Sequence, residues 1–121
     1  MITRIFKNAV ARATMDGDAP KEISGVGAVV GVITDLGYCE EEIAPGAFDG
    51  ADLTDVLVCF NHNLSKIMGR NSADTATISI DANGNLTYVA NKLDLDNQEV
   101  FSAVRYIQRG EVDKASFMFD I

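Results

Sequence analysis

Tryptophan is absent from this 121-residue chain, and histidine occurs once, at position 62. There are only two cysteines and two prolines. One histidine and two scattered cysteines cannot build a structural zinc site, which takes four thiolate or imidazole ligands. Cys39 and Cys59 are too few for a disulfide framework and lack the CxxC spacing of a redox or metal motif. Cys59 lies in an apolar run and reads as a small core residue, which suits a reducing compartment. No apolar run approaches the ~20 residues that span a bilayer. Arg4 and Lys7 near the start are not followed by an apolar stretch of secretory length. Cations are scarce as well: 10 Lys and Arg stand against 18 Asp and Glu, a net charge of −8. A field of that sign repels phosphate backbones, so neither nucleic acid nor membrane is an expected partner.

Two partial motifs fail on spacing. Gly25-Val26-Gly27 opens like a dinucleotide fingerprint, but the third glycine is misplaced and strand formers follow. Asp81, Asn83 and Asn85 resemble the start of a calcium loop. Glycine then falls fourth rather than sixth, and Lys92 takes the twelfth place where a chelating glutamate belongs. No cofactor and no metal is expected.

What is present suits one soluble, unexported domain over residues 1–121 with a modest core. Hydrophobic residues make up 47% of the chain, too many for a disordered segment. Residues 1–22 mix charge with Gly17 and Pro20 and read as ending in a loop. Residues 23–33 are small and β-branched and predict a long buried strand. Residues 34–55 form a connection, with a short helix expected near Ala47-Phe48. Residues 56–61 read as a strand, with His62 directly after it. Residues 75–80 and 86–90 alternate around an Asn-Gly turn at 81–85, the clearest hairpin signal in the chain.

The best helix runs from about Asp96 to Arg109. Asp96 and Glu99 have the spacing of a cap and its partner, and Val100, Phe101, Val104 and Ile107 form an apolar stripe. Residues 115–121 alternate again, with Ala115, Phe117, Phe119 and Ile121 on one face and Ser116, Met118 and Asp120 on the other. The expected class is mainly β with a flanking helix (α+β).

A serine hydroxyl needs a base to take its proton, and a neutral imidazole is matched to that task. With one histidine, His62 is the only imidazole available. By itself, a lone histidine at a strand end serves structure more often than catalysis.

The order of motifs adds to this. A small-residue strand from Gly25 is followed by Glu42-Ile43-Ala44-Pro45-Gly46-Ala47-Phe48 and then by a strand ending in Asn61-His62. Gly69-Arg70 comes next, then the acidic turn at 81–85, a helix closing on Arg109-Gly110, and Ser116-Phe117-Met118-Phe119. In this order, over residues 23–121, the chain resembles the HK97-type phage prohead protease family, the serine proteases of capsid maturation. The resemblance implies an assemblin-like β-barrel surrounded by helices and a Ser–His pair, with His62 as base and Ser116 as nucleophile. It implies cleavage of phage scaffold and major capsid proteins inside the assembling prohead, in the cytoplasm of a bacterial host.

In that family a later strand supplies an orienting residue, typically acidic. The expectation is therefore that this chain is a truncated or processed form, that its barrel has an open edge, and that a second copy covers the edge. Asp120 shares a face with Ser116 but lies about 13 Å along the strand, too far to orient the same imidazole. Glu42, Asp55 and Asp74 remain alternatives for that role. Arg70 suits an oxyanion or substrate carboxylate, or more simply a salt bridge. Pro45-Gly46-Ala47-Phe48 reads as a turn with a core anchor. Two other functions fit the same residues: a capsid-assembly or scaffold-binding module without turnover, and a small barrel that binds peptides by strand addition.

Overall fold

The computed structural model describes the backbone of residues 2–17 and 19–119 and the side chains of residues 9–17 and 19–118. The chain is mainly β with one helix, the expected α+β class. Five strands form one antiparallel sheet in the order β7-β8-β2-β1-β9. These are β1 (Ile2–Asp16), β2 (Ala19–Ala28), β7 (Thr77–Ile80), β8 (Leu86–Ala90) and β9 (Lys114–Phe119). Two small pairs stand apart: β3 (Thr34–Asp35) with β4 (Glu40–Glu41), and β5 (Leu57–Cys59) with β6 (Ile67–Arg70). The described strands do not close into a barrel, because β7 and β9 end the large sheet on either side.

The first correction to the sequence reading concerns the segment before residue 23: its residues 2–16 and 19–22 belong to a long hairpin, β1–β2, rather than leading into a loop. Its register runs from Val10↔Val26 to Asp16↔Ala19, with a bulge at Thr14/Met15. The strand escapes a pattern search because its inward positions are alanines. Ala9 is fully buried, and Ala11 and Ala13 pack on the core. Alanine carries little hydrophobic signal and is depleted in strands generally. β2 accordingly begins at Ala19 and ends at Ala28, not at residues 23 and 33.

Gly25 is needed where β2 crosses β1. A Cβ there would stand 1.9 Å from the Val10 carbonyl oxygen. That oxygen also accepts a hydrogen bond from the Tyr88 hydroxyl at 3.0 Å. Burial pushes the Tyr88 phenol up to about 12, so it is a permanent donor at neutral pH.

The main core lies between the sheet and α1 (Gln98–Gln108). Ile23 from β2 and Val100 and Val104 from α1 are its largest fully buried side chains. Burying each contributes roughly 1.5–3 kcal/mol. The helix stripe is Val100, Ala103, Val104 and Ile107; Phe101, expected in it, is exposed. The cap is Asn97, one residue later than expected. Its side-chain oxygen accepts from the Glu99 and Val100 amides at 3.0 and 3.4 Å. An Asp or Asn can fill this place, so sequence alone leaves the start uncertain by one residue.

The hairpin turn is as expected: Asp81 Oδ1 accepts from the Asn83 and Asn85 amides, both at 2.9 Å. Asn85 Oδ1 in turn accepts from Val30 N at 2.9 Å, tying the turn to the end of β2. A second cluster of Ala9, Ala28 and Val29 receives Ala115 and Phe117 from β9. Among the described residues, no helix is long and apolar enough to cross a membrane.

Candidate active site

Alternation places Ser116 opposite to Ala115 and Phe117 on β9. Phe117 is fixed by the second cluster and by an edge-to-face contact with Phe48, with centroids 6.0 Å apart. Phe48 is the expected anchor; backbone bonds from Ala47 to Ala44 and from Asp49 to Gly46 make the turn around it. The segment is a run of turns rather than the short helix expected there. Because Phe117 packs on that second cluster, alternation turns Ser116 to the opposite face of β9, and the register Ile5↔Ser116 sets its height on the sheet. Phe119, Asp120 and Ile121, the rest of that alternating run, have side chains outside the described residues.

His62 arrives from the other side. The strand expected over 56–61 stops at Cys59, and Phe60–His62 form a tight helical turn. Asn61 and His62 both have left-handed backbones, at φ 53° and 51°. Such a conformation costs an L-residue roughly 1–2 kcal/mol, although asparagine bears it better than most. Strain at two consecutive non-glycine residues is a mark of a functional position. Its effect here is direct: His62 Nε2 meets Ser116 Oγ in a hydrogen bond. The two do not sit on neighbouring strands of one sheet, as a barrel would place them. They meet between the large sheet and the small β5–β6 pair.

The small pair is secured by a polar clasp. Arg70, at the end of β6, grips Asp55 with both arms of its guanidinium, Nε to Oδ1 at 2.6 Å and Nη2 to Oδ2 at 2.5 Å. Ser72 donates to the same carboxylate at 2.7 Å. These contacts hold Asp55 down at about 2. Arg70 is thus a salt-bridge arginine in this structure. Asn71, which no motif in the chain singles out, bridges the same loop: it donates to the Leu53 carbonyl at 2.6 Å and accepts from Val56 N at 2.7 Å. Gly69 lets the small pair close on the large sheet. A Cβ there would lie 2.7 Å from the Thr75 carbonyl oxygen and 3.1 Å from Ala90 Cβ on β8.

None of the alternative carboxylates reaches the imidazole. Asp55 is occupied by Arg70 and Ser72, Asp74 pairs with Lys92 at 3.5 Å, and Glu42 is exposed. Among the described residues, Ser116 is the one side-chain hydrogen-bond partner of His62. No group of His, Cys, Asp and Glu among them could hold a metal ion. Cys59 is half-buried, and burial pushes its thiol up, away from reactivity.

The pair opens onto a cleft of about 1080 Å³ between the two sheets and α1. Ile23, Met68 and Ile107 form its floor, and Asp52, Leu53 and Asp55 line one rim.

A mainly β domain with a serine hydroxyl hydrogen-bonded to an imidazole beside a deep cleft has the layout of a serine hydrolase. The sequence model of the caudovirus prohead serine proteases matches residues 8–121. The chain belongs to that family of phage capsid-maturation proteases. No curated protein and no solved structure matches it.

Proposed function

We propose that the chain is a serine endopeptidase that cleaves scaffold and major capsid proteins during prohead maturation, with Ser116 as nucleophile and His62 as base. The contact between His62 Nε2 and Ser116 Oγ, inside the cleft, carries this reading. With its own proton on Nδ1, His62 accepts the hydroxyl proton at Nε2 as Oγ bonds to the peptide carbonyl carbon. His62 then gives that proton to the leaving nitrogen as the C–N bond breaks. A water attacks the acyl-serine by the same route in reverse, releasing the acid and restoring the hydroxyl.

The proposal places the work inside the assembling prohead, on a single domain over residues 1–121. An assemblin-like barrel is part of it, and so is a homo-oligomer. Both need further pairing at β7 and β9, the strands at the ends of the large sheet. Light scattering over a range of concentrations tests the oligomer, and a monomer throughout would remove it.

One observation favours a second reading, a capsid-assembly module of the same fold with little turnover. His62 has no carboxylate to orient it among the described residues. A fluorophosphonate separates the two. Specific labelling at Ser116 that disappears in His62→Ala, together with His62-dependent cleavage of scaffold protein, supports the protease. An unlabelled chain that still binds scaffold protein leaves the assembly module.

A further inference from the structure

Protein interiors are close-packed, with few voids larger than a water molecule. A cleft of about 1080 Å³ is at the upper end of ligand-site volumes. Its floor is contributed by three elements: Ile23 of β2, Met68 of β6 and Ile107 of α1, at 2%, 5% and 8% exposure. Because those elements are fixed by ladder bonds and by the helix core, the floor does not collapse into the space. No buried side-chain nitrogen or oxygen among the described residues lacks a hydrogen-bond partner. The cleft is lined mainly by apolar side chains.

Its charges point the same way. Asp52 and Asp55 stand on the rim, Asp55 already neutralised by Arg70, and Lys114 already has a partner. A carboxylate entering here would lose its water and meet the Asp52 charge.

We propose that this cleft is a specificity subsite for a large aliphatic or aromatic side chain on the acyl side of the scissile bond, and that it rejects Asp and Glu there. The assignment rests on the protease reading of Ser116 and His62, with which the cleft is continuous. Apolar burial supplies the attraction, and desolvation together with the Asp52 charge supplies the rejection.

The test uses α-aminoalkyl diphenyl phosphonates that share one acyl cap and carry a Leu, Phe or Glu side chain. Attack by Ser116 forms an O–P bond and breaks a P–O bond to phenoxide; the hydroxyl proton leaves with it as phenol through His62. Rates are read by intact mass, with a small fluorophosphonate as reference. The Leu and Phe probes are expected to label Ser116 about 10-fold to 100-fold faster than the Glu probe. Leu53→Lys, a loop change that puts a cation on the cleft wall, is expected to shrink that ratio several-fold. Labelling by the reference with no preference among the three, or a ratio unmoved by Leu53→Lys, overturns the subsite and leaves the nucleophile standing. Failure of every probe, the reference included, overturns the nucleophile and the subsite with it.

Discussion

The two sides of the candidate active site are built on different principles. Ser116 stands on a five-stranded sheet whose ladders run over a buried apolar cluster. His62 stands on a turn beside a pair of short strands, three and four residues long. Met68 anchors this arm in the main core, and its outer end is secured by polar bonds between exposed or half-buried groups. Each such bond adds only about 0.5–1.5 kcal/mol net, while burial of one large side chain adds more. Ser116 thus has a stiff seat, and the outer end of the arm that carries His62 is held more weakly.

The most severe way to probe this division is to remove either partner. Ser116→Ala and His62→Ala should each lower cleavage of scaffold protein about 10⁴-fold or more, since the two groups act as a unit. Circular dichroism should be unchanged in both. A loss below ten-fold for either would place the chemistry elsewhere.

The joint between the regions comes next. Gly69→Ala forces a methyl against the Thr75 carbonyl and the Ala90 side chain. It should destabilise the protein by about 1–3 kcal/mol in urea unfolding and lower activity as the small pair is pushed away. Unchanged stability would mean that the two regions do not meet as closely as they do here.

Asn61→Val tests the turn alone. A β-branched residue in the left-handed region should cost roughly 1–2 kcal/mol and move His62, cutting kcat more than it raises KM. The large sheet should be untouched, so hydrogen exchange at β2 and β8 should match the parent. Faster exchange throughout would instead show that the two regions unfold together.

The clasp gives the smallest effect. Asp55 is held at about 2 against an ordinary 3.8, first by the Arg70 bond and then by Ser72. A depressed carboxylate stabilises above its unfolded value, and that contribution is lost as pH falls through the folded one. The parent should therefore lose the contribution of the clasp between pH 3.8 and about 2. Asp55→Asn should not show that loss. Near neutral pH, Arg70→Ala should change kcat/KM only a few-fold, because exposed ion pairs contribute little. A profile for Asp55→Asn that overlays the parent between those values would remove the clasp from the account of His62.

The two regions also differ in how much of them can be read from the chain. Where side chains alternate with strong contrast, the sequence is explicit. Residues 75–90 give their hairpin because the turn at Asp81–Asn85 satisfies itself locally, and Phe117 fixes which way Ser116 faces. The helix is legible to within one residue of its cap. β1 was hidden because alanine fills the inward positions, a face too small to register as apolar. The clasp was hidden because Asp55, Arg70 and Asn71 are ordinary polar residues until the loop folds back on them.

By itself, then, the sequence determined the class of fold, the faces of its strongest strands, and, through the resemblance carried by ordered motifs, the pairing of His62 with Ser116. Residues 54 apart can be brought within a hydrogen bond only by tertiary structure. That contact depends on the left-handed turn at Asn61-His62 and on the close approach that Gly69 permits. The same packing left the sheets unclosed and filled the Arg70 fork with Asp55. Those outcomes depend on backbone geometry and long-range fit, which local patterning does not encode.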